Sequence, residues 1–139
     1  MSNPILIKSG KAEGAIAAHR IVKFGAADGG VLQASAATDA MFGVSAELSA
    51  LTGERCDVIK LGDADVEYGG AVTRGDELTA DADGKAITAT RHTHTENTAA
   101  AYAQNAATGT ATLPRIIGVA NVSGVLGDIG SVAIAPAFA

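Results

Sequence analysis

The chain has 139 residues, a formal net charge of −5, no tryptophan and a single cysteine. That length supports one hydrophobic core, and the acidic balance, with Lys and Arg scattered singly, leaves no basic footprint for nucleic acid. The lone Cys56 excludes an internal disulfide and fits synthesis in a reducing place.

Apolar residues make up 47% of the chain but aromatics only 4%, so its core has few large anchors. An all-β domain with so thin a core gains stability from partners, which favours an oligomer or an assembly subunit. Residues 1–13 hold no apolar stretch long enough for a secretory leader, and no run approaches a membrane span.

In chain order, residues 1–13 (MSNPILIKSGKAE) precede a repeated pattern and have no counterpart before its second copy. Pro4 restricts Asn3 to an extended conformation. The triplet Ile5-Leu6-Ile7 is then either an edge strand on its own domain or an N-terminal arm laid on a neighbour. Asn3, Pro4, Ile5, Leu6 and Ile7 are the first candidate partner-contact residues.

From Gly14 the chain reads GAIAAHRIVKFGAADGGVLQAS, and from Gly70 it reads GAVTRGDELTADADGKAITA. Each has apolar runs on both sides of an Asp-Gly pair, at Asp28-Gly29 and at Asp83-Gly84. Asp-Gly between alternating apolar residues signals a tight hairpin, because Gly accepts positive φ without a Cβ clash. The match continues: Phe42 to Ser45 corresponds to Ile117 to Ala120, and Leu48 to Glu54 lines up with Val122 to Asp128. Both copies end in short apolar runs, at Val58 to Leu61 and at Val132 to Ala135.

The expected fold is therefore mainly β, a small β-barrel or tulip-like sheet built from two similar β units with an extended N-terminal arm. Its boundaries are an arm at 1–13 and one β domain at 14–139, with pseudo-repeats at about 14–61 and 70–135.

Between the copies, Leu61 to Tyr68 (LGDADVEY) alternates with period two. Asp63, Asp65 and Glu67 share one face, and Ala64, Val66 and Tyr68 the other. Successive carboxylates about 6.5–7 Å apart suit a solvated face that resists edge-to-edge pairing, or contact with a basic partner, better than a calcium loop. Asp81-Ala82-Asp83-Gly84 resembles the start of such a loop but lacks its later ligands, and reads as a turn. His19 has no second ligand at a recognisable spacing. Ser35 to Asp39 is a loop.

Residues 90–112 form the one large insertion. Arg91-His92-Thr93-His94 alternates, so both histidines fall on one face, but two zinc ligands without a third are weak. Ala99 to Gln104 has the length of one helical turn, too short to stand alone. A loop of this length in a compact domain is usually functional, so His92, His94 and Tyr102 join the candidate partner contacts. Pro136 lacks an N–H and is expected to stop the last strand.

No nucleophile elbow, phosphate loop or dinucleotide fingerprint is present, and few aromatics are available to line a sugar cleft. The expectation is no enzyme, no cofactor and no metal.

Gly70-Ala71-Val72-Thr73-Arg74-Gly75-Asp76-Glu77-Leu78, then Ala82-Asp83-Gly84-Lys85-Ala86, then Ile117-Gly118-Val119-Ala120 with Gly127-Asp128, resemble the capsid cement (head decoration) proteins of tailed bacteriophages over about 14–139. The resemblance implies a structural virion protein that binds the outer face of an assembled capsid and cements its major capsid subunits. It also implies a homo-oligomer, trimer before dimer, made in the host cytoplasm, with neither nucleic acid nor membrane as partner. Residues 90–112 depart from the family's short connection. A carbohydrate- or surface-binding module using that loop is the rival reading.

Overall fold

The computed structural model describes residues 2–90 and 113–138, and the described part is mainly β with no helix. Nine strands follow one another: β1 (Asn3–Ala12), β2 (Ile21–Phe24), β3 (Gly30–Gln33), β4 (Met41–Ser45), β5 (Arg55–Glu67), β6 (Glu77–Ala80), β7 (Ala86–Thr88), β8 (Arg115–Ala120) and β9 (Ile129–Phe138). They form one sheet in the order β1-β3-β2-β4-β5-β9-β8-β6-β7, and β1 also pairs with β5. That extra pairing closes a ring through β1, β3, β2, β4 and β5.

Both Asp-Gly signals are hairpins. β2 and β3 flank Gly29 at φ 77°, and β6 and β7 flank Gly84 at φ 72°. In the second hairpin the Asp81 carboxylate accepts the N–H groups of Asp83 and Lys85 at 2.8 and 2.9 Å. The calcium-like tetrapeptide is thus a side-chain-closed turn, as its repeat partner implied.

Eight of the strands read the same from either end, β3-β2-β4-β5 and then β9-β8-β6-β7. Individual hydrogen bonds repeat as well. Ala12 N–H reaches Glu54 O at 2.9 Å, and Tyr68 N–H reaches Asp128 O at 2.7 Å. Ile16 bridges Ala50 as Val72 bridges Gly124. Gly53 and Gly127 share a left-handed conformation at φ 88° and 89°.

The register gives residues 5–12 a counterpart that the sequence hid. β1 meets β5 through Ser9↔Asp57, Gly10↔Cys56 and Lys11↔Arg55, and β5 meets β9 through Asp65↔Ser131, Val66↔Gly130 and Glu67↔Ile129. Leu61 to Tyr68 therefore does for the second unit what Ile5 to Ala12 does for the first. Strand β5, 13 residues long, ends one unit and begins the next.

The cores differ in how they fill equivalent space. The first holds Ala12, Ile16, Val22, Val31, Ala50, Cys56 and Val58. In the second, Tyr68 stands at the Ala12 position, and Gly124 and Gly130 stand at those of Ala50 and Cys56. A Cβ on Gly124 would lie 2.7 Å from the Tyr68 ring, and one on Gly130 would overlap its hydroxyl end. One large side chain with two glycines thus replaces three small residues. The Tyr68 hydroxyl, fully buried, donates to Val122 O at 2.8 Å. Burial, then the nearby Asp128 charge, push its pKa above the ordinary value.

The sheet does not stop at Pro136. β9 continues to Phe138, and Ile116↔Ala137 and Arg115↔Phe138 stay in register with β8. Proline is tolerated for two reasons. Pairing with β5 ends at Gly62↔Ile134, and the β8–β9 register shifts between Ile116 and Gly118. Pro136 therefore sits at a bulge with one strand face free, where no ladder needs its missing N–H.

The β3–β4 loop, expected over Ser35 to Asp39, is closed by its last residue. Asp39 accepts from Ser35 N–H at 2.8 Å and Ala36 N–H at 3.0 Å, and pairs with Lys23 at 3.1 Å. Burial works against its charge, but the Ser35 hydrogen bond and Lys23 outweigh that and hold its pKa below the ordinary carboxylate value.

Two measurements check these points. Gly130→Ala should cost about 1–3 kcal/mol of stability in urea titration, and Tyr68→Phe about 1 kcal/mol; unchanged midpoints would show that the ring does not fill this space. Because the Asp39 pKa is depressed in the folded state, its contribution is complete above the ordinary carboxylate range and lost as pH falls through the lower folded value. Asp39→Asn should therefore be less stable than the parent at neutral pH, with the gap closing on acidification.

Candidate partner-binding surface

Pro4 holds Asn3 extended and the β-branched Ile5 and Ile7 favour a strand, and the structure places residues 3–12 as a strand on their own domain. Asn3 pairs with Asp63, Pro4 with Gly62, Leu6 with Leu61 and Ile7 with Ile59. The ladder is irregular around Leu6, where Gly62 (φ 99°) leaves only 2.6 Å between a would-be Cβ and Asn3 O. Only Lys11 and Ala12 meet β3 on the opposite edge. Ile5 is 81% exposed, and Leu6 and Ile7 are about half exposed. The result is an apolar strand anchored along one edge and open to solvent along much of the other.

Two equivalent loops add apolar surface. The β4–β5 loop exposes Leu48 and Leu51, and the β8–β9 loop exposes Val122, Val125 and Leu126. Each is braced by an acid: Glu54 Oε2 accepts Leu51 N–H at 2.8 Å, and Asp128 Oδ2 accepts Val125 N–H at 2.9 Å. These side chains are presented on fixed backbone, and contiguous exposed apolar surface marks contact sites. Sequence reasoning aligned the loops without singling them out. The available signal was apolar residues at matching places in segments otherwise built for turns.

Between β1 and the β4–β5 loop lies a groove of about 470 Å³, with Pro4, Ile7, Leu48 and Ile59 among its apolar walls. Glu47, Asp57, Asp65, Arg55 and His19 supply its polar groups. His19 has φ 57°, and the second unit has Gly75 (φ 96°) in that role. The equivalence shows in the next residue of each unit, where Ser45 N–H reaches Arg20 O at 2.8 Å and Ala120 N–H reaches Asp76 O at 2.9 Å. A side chain in the left-handed region costs about 1 kcal/mol relative to glycine. What the imidazole gains is a hydrogen bond, its Nδ1 lying 3.0 Å from Asp65 O.

The acidic face of β5 is partly engaged within the chain. Glu67 pairs with Arg20 and, at 3.5 Å, with Lys85, while Asp63 accepts from Asn121 Nδ2 at 3.1 Å. Among the described residues no group of three or more His, Cys, Asp or Glu side chains converges as a metal site. Cys56 is buried, and burial first, then the Asp57 charge, raise its thiol pKa, so it is no poised nucleophile. His92, His94 and Tyr102 lie outside the described residues.

An inverted substitution ranking tests the reading of His19. His19→Ala should lose about 1–2 kcal/mol, because it keeps the left-handed backbone and drops the hydrogen bond, whereas His19→Gly should stay within about 1 kcal/mol of the parent. Thermal unfolding in which alanine is the better tolerated of the two would refute it.

An all-β scaffold that displays braced apolar side chains on two equivalent loops is the architecture of a protein built to be covered. Residues 5–119 match the phage cement protein family, and the chain belongs to it. The resemblance drawn from the turn and core residues is thereby shown, and the protein is a structural, capsid-associated protein of a phage. Comparison with curated proteins gives no match. Among solved structures the chain is similar to the one titled "The crystal structure of head fiber gp8.5 N base in bacteriophage phi29". The two share 18% identity and a TM-score of 0.61, over 96% of this chain and 97% of that one. At that identity the likeness is one of fold.

Proposed function

We propose that the protein binds the outer surface of an assembled capsid and cements contacts between major capsid subunits. It acts as a homo-oligomer, trimer before dimer, made in the host cytoplasm and carried on the virion. The observation that carries this reading is the exposed apolar run of β1, residues 3–7, beside the braced loop at Leu48. Half-open and apolar, this surface suits a protein chain as its partner. His92, His94 and Tyr102 are assigned as further contacts. Family membership supports the setting, and many modest contacts repeated over a shell would add through multivalency.

The test uses shells of the encoding phage assembled without this protein. The purified protein should co-sediment with them and raise the temperature at which they rupture. Because β1 also closes the ring, truncation would confound folding with binding, and Ile5→Asn is the cleaner variant. It should weaken attachment roughly fivefold, for about 1 kcal/mol of lost apolar burial, while leaving thermal unfolding of the free protein unchanged. Undiminished occupancy would remove β1 from the interface; absence of wild-type binding would sink the proposed function.

A further inference from the structure

The groove beside β1 has a counterpart in the second unit, and the two have diverged in one respect. The second groove is lined by Asp63, Asn121, Val122 and Ser131, together with the start of β1 at Ser2 and Asn3. By the shared register, Ser131 occupies the place of Asp57. Ala46 N–H to Asp57 O and Asn121 N–H to Ser131 O put Asn121 at the place of Ala46, and Val122 aligns with Leu48, so Glu47 is an added residue with no counterpart in the second unit. In the second unit the polar groups satisfy one another. Asn121 Nδ2 donates to Asp63 Oδ1 at 3.1 Å and to Ser131 Oγ at 3.2 Å, and Ser2 Oγ donates to Asp63 O at 3.3 Å.

In the first unit they do not. Glu47 and Asp57 are exposed carboxylates at the groove, and neither makes a salt bridge among the described residues. Arg55 is the one guanidinium among the residues that line this groove beside them. His19 stands at the same groove, kept in a backbone conformation that the other unit gives to glycine. A duplicated scaffold has no folding need for this asymmetry, since the self-satisfied version folds equally well in the same chain.

We propose that the first-unit groove is a receptor for a basic side chain borne on an otherwise apolar stretch of protein. The lysine or arginine head seats against Glu47 and Asp57, and its methylene stem and neighbours pack on Ile7 and Leu48. Charge complementarity selects the occupant: an anionic rim over apolar walls matches a long aliphatic stem ending in a cation. The source is the shell subunit, so the identity of the partner, though not the chemistry of the groove, rests on the proposed function.

Two measurements decide it. In the first, the full-length protein is titrated by NMR with the amidated peptides acetyl-Leu-Arg-Leu and acetyl-Leu-Glu-Leu. The arginine peptide should shift the Glu47, Leu48 and Asp57 amides and the His19 ring signals, and leave Asn121, Val122 and Ser131 still. Equal response to both peptides, or response at the second groove, would overturn the proposal whether or not shells are bound.

In the second, Glu47→Gln with Asp57→Asn should lower occupancy on protein-free shells roughly tenfold at low salt, and the difference should shrink as salt is raised. Asn121→Asp with Ser131→Ala serves as the control and should change little. Retained occupancy for the groove variant while wild type binds would overturn the inference and leave the proposed function standing. Failure of wild type to bind would overturn the proposed function, with the peptide titration still deciding the groove. Both substituted pairs are exposed, so thermal unfolding should match the parent.

Discussion

Strand β5 is the constraint on which the rest of the molecule depends. It pairs antiparallel with β1 through Asn3 to Lys11 and with β9 through Gly62 to Glu67, and it meets β4 at Val58 and Ile59. Both units therefore hang on one backbone, and neither can shift register without turning its buried residues out to solvent. Ala64, Val66 and Tyr68 point into the second core from the same strand that gives Cys56 and Val58 to the first. Burial alternates from Ala64 to Val66, but Val58 and Ile59 are both buried where β5 pairs with β1 and β4, and at Gly62 β1 passes too close for a side chain.

A shared strand also explains how a chain with so few aromatics keeps two cores. Neither core is filled by size. The first closes with small side chains around the ring, and the second closes over Tyr68, with glycines cut away to admit it. Equivalent backbone thus carries two different packings of similar volume, as expected if volume and pattern matter more than residue identity. Tyr68 also ties its loop down through Val122 O, so the second unit gains a polar anchor that Ala12 cannot give the first.

Much of this was legible in the residues. Asp28-Gly29 and Asp83-Gly84 state their hairpins through local chemistry, and LGDADVEY states its buried face through period two. The alignment of Leu48 to Glu54 with Val122 to Asp128 held because both loops need the same left-handed glycine and the same capping acid. Three features were not legible. The equivalence of ILIKSGKA with LGDADVEY is carried by hydrogen-bond register, and register leaves no mark when one copy is apolar and the other acidic. The passage of β9 through Pro136 depends on a bulge and a missing neighbour, which no local rule encodes. The groove is assembled from β1, His19, a loop and β5, and its residues are far apart in the chain.

Duplication also bears on where function sits. When one backbone occurs twice in a chain, residues that the fold requires are needed in both copies, and the differences mark what the fold does not require. Gly53 and Gly127, Glu54 and Asp128, and the paired core valines belong to the first class. His19 against Gly75, Asp57 against Ser131 and the added residue Glu47 belong to the second. All three fall at one groove beside the exposed apolar strand, and all three give the first unit ionisable groups that have no counterpart at those places in the second. Three ionisable groups that the other copy lacks, gathered beside the exposed Ile5 and Leu48, indicate a surface that answers to something outside it.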